Sequence, residues 1–404
     1  MLERTAQEQS LTQASTTAPS HEAFAQPADL PADAPSAQAP EQFRFRFSGD
    51  GAEYFRIWLT NMAFTVMSLG LYSAWAKVRR LEYVYRNTRL TDAHFMYDAQ
   101  PFAILRGRLI AAVLFVIYYF YTELPAWIAL VVLALLACAF PYLMWSGLRF
   151  KANRARHRGL RFSFSGSLSE AYQMYLPLIA VIVGPTALAL ATVGSVWEEG
   201  ATAIIGFGSL AMFVFMPWVH ARLRRWITSN TWYGQSKFSI DVPTRKFYGL
   251  YIKTIFVAIG VGIVATAGGG LLYSLASILF AGRPAPLNFA VFLISAALTY
   301  SVVVPFFVAK LQNLTWQATR LEGVGFDCRL SSGALIWLTL KNLFLILVTL
   351  GLWRPFGWIR VMKMRIESVA WLGSAALLAA HQTQTAGSTA GSEAADFFGA
   401  DFGL

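Results

Sequence analysis

The sequence predicts an all-α polytopic membrane protein: about eight hydrophobic segments, six to eight of them crossings, arranged as repeated helical hairpins with short extended arms at the cytoplasmic face. Three observations predict it. Apolar residues make up 56% of the chain and charged residues only 14%, whereas a soluble domain needs about 25% charge to cover its surface. Runs such as WIALVVLALLACAFPYLMW at 127–145 are long enough to cross a hydrocarbon core of about 30 Å. The connections between such runs alternate between base-rich and base-free.

The apolar segments lie near 57–75, 109–124, 126–146, 171–196, 201–219, 247–280, 288–309 and 334–353. Lys and Arg number seven in 76–108, none in YTELPAW, six in 147–170, none in VWEEGA, six in 219–247, one in 281–287 and three in 310–333. Basic connections stay on the cytoplasmic side, so the six middle segments read as three hairpins with short outer turns. The first and last segments carry bases on both flanks. Either they cross plainly, or they break at Gly70 and Gly351 and return to the side they left. Non-helical backbone at membrane depth is tolerated where protein covers it. The 247–280 segment is longer than a bilayer requires, and the glycines at 268–270 are expected to break or kink it.

Two segments fall outside this body of residues 43–381. Residues 1–42 are rich in Ala, Gln, Pro, Ser and Thr, and residues 382–404 are small, polar and acidic. Both read as disordered tails. The first lacks the basic and apolar regions of a cleavable signal, so insertion is expected to rely on the first hydrophobic span. Nine of the 22 acids and one of the 33 bases sit in the tails, which leaves the membrane body with 32 bases against 13 acids.

A short arm precedes each membrane unit and recurs five times: FRFSGDGAEYFRIWL from Phe45, FMYDAQPFAILRGRLI from Phe95, FSFSGSLSEAYQMYL from Phe162, FSIDVPTRKFYGLYI from Phe238 and FDCRLSSGALIWLTL from Phe326. Each alternates briefly, passes a turn residue and enters an aromatic helix start. The arms read either as a ligand-facing layer or as an interfacial belt of aromatic and basic residues. SLGLYSAWAKVRR at 68–80 and TLGLWRPFGWIR at 349–360 also align, which superposes Asn61 on Asn342 and Gly70 on Gly351. These four residues are the candidate intramembrane polar and hinge positions, and the end segments are expected to pack together and close the bundle.

YFRIWLTNMAF, LGLYSAWAKVRRLEYVYRNTRL and Gly107-Arg108 together resemble the uncharacterised bacterial inner-membrane family typified by YjgN, over about residues 43–370. WRPFGWIR departs from the Trp-Ala-Lys block of the first copy. The resemblance implies a multi-pass protein of a bacterial inner membrane and brings no activity, substrate or catalytic residue.

The chemistry that spans usually carry is absent from the sequence. The six middle segments hold no acid or His at depth, and Lys253 and Lys341 lie near cytoplasmic ends, which weakens proton-coupled transport. No nucleotide-binding or metalloprotease motif occurs, so neither an enzyme nor a cofactor is expected. His94, His157 and His220 fall on successive basic connections, and a metal site there is a minor reading. Cys138 and Cys328 give no disulfide framework. The basic clusters match anionic lipid without any need for nucleic acid. The candidate headgroup ligands are Arg79, Arg80, Arg154, Arg156, Arg158, Arg222, Arg224 and Arg225. Two functions remain open: a permease or channel-like protein with a pore between hairpins, or a non-transporting module that binds anionic lipid or a partner protein through its basic arms.

Overall fold

Phe-Arg-Phe-Arg-Phe at 43–47 places alternate side chains on opposite faces, the period of a strand. In the computed structural model it forms β1 (Phe43–Arg44) and β2 (Arg46–Phe47). The structure describes residues 42–120, 125–192, 198–279 and 285–373. Nearly all of both predicted tails and half of the residues in the three predicted outer turns lie outside these described residues.

From β2 the order strand, helix, helix, strand is met five times. The first passage is β2, α1 (Gly51–Met67), α2 (Ser73–Arg86) and β3 (Thr88–Leu90). The second is β4 (Ala93–Tyr97), α3 (Pro101–Phe120), α4 (Ala126–Asn153) and β5 (Ala155–His157). The third is β6 (Leu160–Phe164), α5 (Leu168–Ala191), α6 (Glu198–Ser229) and β7 (Thr231–Tyr233). The fourth is β8 (Ser236–Ile240), α7 (Thr244–Leu279), α8 (Ala285–Gln317) and β9 (Thr319–Leu321). The fifth is β10 (Val324–Cys328), α9 (Ser332–Val348), α10 (Arg354–Glu367) and β11 (Val369–Trp371).

The expectation of an all-α fold is therefore overturned. The arms are strands, and they pair into one antiparallel sheet of order β1-β11-β10-β9-β8-β7-β6-β5-β4-β3-β2. Its two ends are the halves of one stretch interrupted only at Phe45: Phe43 pairs with Trp371, and Phe47 pairs with Thr88. The sheet thus closes on itself through the first strand. Successive passages are joined by two-residue hairpins whose first residue is left-handed: Thr91 at φ 55°, Arg158 at 50°, Gly234 at 60° and Glu322 at 48°. This conformation matches strand twist in tight hairpins. One residue from nearly every strand enters a common apolar cluster that holds Leu90, Leu160, Tyr233, Leu321, Phe326 and Trp371, with Phe45, Phe95, Phe162 and Phe238 packed against it. The Phe45 and Phe95 rings stack at 6.0 Å, and Phe238 stands 6.4 Å from both Phe162 and Phe326.

One hydrogen bond stitches sheet to helix in all five passages. The amide after the first strand bonds the carbonyl at the end of the second helix: Ser48 to Asn87 at 2.9 Å, Asp98 to Arg154 at 3.0 Å, Ser165 to Asn230 at 2.9 Å, Asp241 to Ala318 at 3.2 Å and Arg329 to Ser368 at 3.1 Å. Asn87 and Asn230 also cap their own helices, donating from Nδ2 to the carbonyls of Tyr83 and Trp226. Each such bond satisfies a carbonyl left open where a helix ends. The helices form a matching circuit. Each packs on its chain neighbours, and α10 packs on α1, where Tyr54 stacks on Trp358 at 4.8 Å and Phe55 on Phe356 at 5.4 Å.

The number of crossings is also corrected. Among the described residues four helices are long and apolar enough to span a membrane, over Ala126–Asn153, Leu168–Leu188, Thr244–Leu279 and Asn288–Gln317, so six to eight crossings are not supported. The first and last segments supply helices of 17 residues, about 26 Å long and short of the roughly 30 Å core, and the chain then doubles back. Both turns use the same bonds: the Gly70 amide reaches the Thr65 carbonyl and the Gly351 amide the Ile346 carbonyl, each at 2.7 Å. Gly70 at φ +92° and Gly351 at +94° each follow a leucine that is also left-handed, Leu69 and Leu350. Of the remaining helices, α3 carries Arg106 and Arg108 in its first half, and α6 ends in a basic cluster.

The triple glycine does not interrupt α7, which runs 36 residues. Gly269 lies against α8, where an added Cβ would sit 2.7 Å from Val291 Cγ1 and 2.9 Å from Ser295 Oγ, while positions 268 and 270 are open. Overpacking of this kind costs about 1–3 kcal/mol. Gly269→Ala should therefore lower the melting temperature of the purified protein, and Gly268→Ala and Gly270→Ala should leave it unchanged or raise it. Equal effects at all three positions would refute the close approach.

Candidate functional site

The strongest constellation of unpaired cations over apolar surface lies on the fourth hairpin. Lys246 and Lys253 are seven residues apart, two turns along one face of α7, and Lys310 stands near the end of α8. Together with Gly249, Leu250, Phe256, Val257, Phe306 and Leu314 they line a groove of about 620 Å³ that contains no carboxylate. Lys246 lies nearest the sheet, Lys253 and Lys310 stand about two turns along their helices, and Phe256 and Phe306 lie one turn beyond them. Lys310 Nζ sits 6.0 Å from the Phe306 ring centroid. Beyond the groove the hydroxyls of this hairpin turn back on helix carbonyls: Thr254 to Leu250, Thr266 to Gly262, Ser274 to Gly270 and Thr299 to Ser295, all within 2.7–2.9 Å. Ser295 bonds the Ala265 carbonyl across the pair at 3.1 Å.

The arginines selected from the sequence are not gathered into one site. They fall on α2, α6 and the α4–β6 connection, and most have local partners. Arg79 lies over Tyr72 at 5.8 Å, Arg154 over Phe150 at 5.5 Å and Arg222 over Trp218 at 5.3 Å. Arg156 pairs with Asp98 at 3.7 Å. Arg158 donates to Thr91 Oγ1 and Arg225 to Thr244 Oγ1. Arg80 stands near Lys77, and burial, reinforced by Arg108, Arg80 and Lys151, pulls the Lys77 pKa down. Arg224 faces Arg365 of α10 electrostatically. The lysine groove was missed in the sequence because Lys246 and Lys310 fell in connections and Lys253 was read only as a residue near a cytoplasmic end. Spacing by seven along α7 was the available signal.

Asn61 and Asn342 are both buried, but no hydrogen bond joins them among the described residues. Asn342 is satisfied inside its own hairpin, donating to the Gly357 carbonyl at 3.3 Å and accepting from Trp353 Nε1 at 3.3 Å. Asn61 Oδ1 has no partner among the described residues. Gly70 and Gly351 stand at hairpin tips, with no atom within 4 Å of an added Cβ. The leucines beside them, Leu69 and Leu350, are 95% and 93% exposed, so these glycines shape two apolar tips.

The three histidines go to separate partners. His94 Nδ1 lies 2.7 Å from the Arg86 carbonyl, His157 Nδ1 3.0 Å from Tyr233 Oη, and His220 Nδ1 3.0 Å from Tyr251 Oη. No group of three His, Cys, Asp or Glu that could hold a metal occurs among the described residues.

Four membrane-length apolar helices beside a closed sheet of short strands define an integral membrane protein with an attached sheet ring. The chain belongs to the family of bacterial proteins of unknown function DUF898, whose model matches residues 42–397. It is similar to the inner membrane protein YjgN of Salmonella typhimurium, 25% identical over 351 residues that cover 81% of this chain and 86% of the relative. It is also similar to inner membrane protein YjgN of Escherichia coli K12, 24% identical over 215 residues that cover 50% of this chain and 52% of that protein. No solved structure matches the chain.

His157 gives the sheet a pH dependence. It is buried, stacked on Phe95 at 4.2 Å, and burial, with Arg158 adding to it, pulls its pKa from 6.5 to about 4. A histidine whose folded pKa is depressed stabilises the fold above its unfolded pKa, and that stability is lost as pH falls from about 6.5 toward 4. Unfolding measured at pH 7 and pH 5 should show a loss smaller by about 2 kcal/mol in His157→Gln than in the natural chain. An equal loss in both would exclude His157 as the source.

Proposed function

We propose that this chain is a non-transporting module of the bacterial inner membrane, built from five copies of one strand-helix-helix-strand unit, that binds anionic phospholipid. The observation that carries the reading is the make-up of the α7–α8 groove: three lysines without a carboxylate, interleaved with aliphatic residues on its sheet side, and the aromatic residues Phe256 and Phe306 beyond them along apolar helices. A phospholipid has that order of chemistry, with an anionic headgroup followed by acyl chains. Each base near an anionic membrane surface contributes about 1 kcal/mol. Two further observations weigh against a permease. The sheet encloses a packed aromatic cluster, and the hydroxyls of the α7–α8 hairpin spend their donors on helix carbonyls. The inner-membrane location rests on the relatives' names and the apolar helices.

Native mass spectrometry of the full chain should retain phosphatidylglycerol or cardiolipin in preference to phosphatidylcholine, and Lys246→Gln/Lys253→Gln/Lys310→Gln should lower that retention by an order of magnitude or more. Loss of retention in Arg79→Gln/Arg154→Gln/Arg222→Gln instead, with the lysine variant unchanged, would move the headgroup site to the arginines. No preference for anionic lipid at all would remove the function.

The same reading places the sheet on the cytoplasmic side, where basic connections are retained. In a background lacking Cys138 and Cys328, Ser163→Cys and Lys237→Cys lie on exposed strand positions. They should resist a membrane-impermeant thiol reagent in intact cells and react once the inner membrane is opened. Labelling from outside would invert the topology.

A further inference from the structure

A second cavity, separate from the lysine groove, has about 320 Å³ of space where the ends of α2, α8 and α10 meet the sheet. Its wall is aromatic and aliphatic, with Phe45, Tyr85, Phe95, Trp316 and Met362 among the lining residues, and it holds one charged side chain, Arg365.

Arg365 is fixed. Its Nε donates to Gln312 Oε1 at 2.9 Å, and Gln312 Nε2 donates back to the Arg365 carbonyl at 2.8 Å and to Ser368 Oγ at 3.1 Å. Gln312 itself is buried, so this is a built support. The terminal nitrogens of Arg365 have no hydrogen-bond partner among the described residues, and no carboxylate there pairs with the guanidinium. The neighbouring charge is Arg224, of the same sign, and burial, with Arg224 adding to it, pulls the Arg365 pKa down. A guanidinium kept charged without a counterion, oriented from behind by an amide, presents a fork whose geometry matches a planar oxyanion. The apolar walls favour a ligand whose remaining surface is apolar, and the volume lies at the lower end of small-molecule sites, about 300–1,000 Å³.

We infer that this cavity is a binding site for a small amphiphilic carboxylate, with its carboxylate on the terminal nitrogens of Arg365 and its apolar body among Phe45, Tyr85, Phe95, Trp316 and Met362. No residue of the lysine groove lines this cavity, so the site stands or falls independently of lipid binding.

The full chain in phosphatidylcholine nanodiscs, with empty nanodiscs as the blank, is titrated calorimetrically with naphthalene-2-carboxylate. Saturable binding is expected, at least tenfold weaker for the neutral naphthalene-2-carboxamide and not displaced by equimolar inorganic phosphate. Arg365→Gln should weaken the carboxylate at least tenfold. Met362→Trp, which keeps the arginine and fills the space, should abolish binding, and it decides the matter alone if Arg365→Gln does not fold. The lysine triple variant should bind as the natural chain does. Absence of saturable binding, equal affinity for the carboxamide, displacement by phosphate, or folded Arg365→Gln and Met362→Trp that bind normally would each overturn the site.

Discussion

The rest of the structure depends on the pairing of the first strand with the last. Strands of two to five residues bury too little to persist alone, and an open sheet of them would present two rows of unpaired amides and carbonyls. Phe43 against Trp371 on one side and Phe47 against Thr88 on the other remove both edges at once. Closure also brings α10 against α1, so the aromatic packing of Tyr54 and Phe55 on Trp358 and Phe356 and the ring of strands reinforce the same join.

Much of this was legible in the residues. The five arm phenylalanines, Phe45, Phe95, Phe162, Phe238 and Phe326, were visible as a recurrence, and the structure gathers them around one cluster. Hidden from a linear reading was that the arms pair. Each hairpin is only a few residues long and lies within a base-containing connection, so it reads as part of that connection. One of the four turns, Thr91-Asp92, is also unmarked, because Thr91 takes the left-handed conformation without a glycine. Asn87-Thr88 and Asn230-Thr231 each stand eight residues before an arm phenylalanine, and they are the helix end and strand start that make the sheet–helix bond. The hinge glycines were found as residues, with reversal as one of two geometries, because nothing in the Leu-Gly-Leu triplets by itself distinguishes a crossing from a reversal. Lipid-site residues were harder still. Basic residues were chosen by clustering along the chain, whereas the groove combines Lys246 and Lys253 with Lys310 from another helix.

The helical circuit is uneven in height. The hairpins built from α4, α5, α7 and α8 include helices able to span a bilayer, while α1–α2 and α9–α10 are short and end in exposed leucines. Because α10 packs on α1, the two short hairpins stand side by side. The circuit thus carries tall apolar helices on one side and, on the other, two low hairpins with exposed leucine tips.

Closure by the outermost strands also sets an order of events during synthesis. The Phe47 amide meets Glu367 across 320 residues of chain, and a ribosome adding about 5–20 residues per second needs tens of seconds to supply them. Throughout that interval the first strand is made and its final neighbour does not exist, while the helices between them are already entering the bilayer. The nascent protein therefore grows as an arc with two open edges, and it becomes a ring only when β11 emerges.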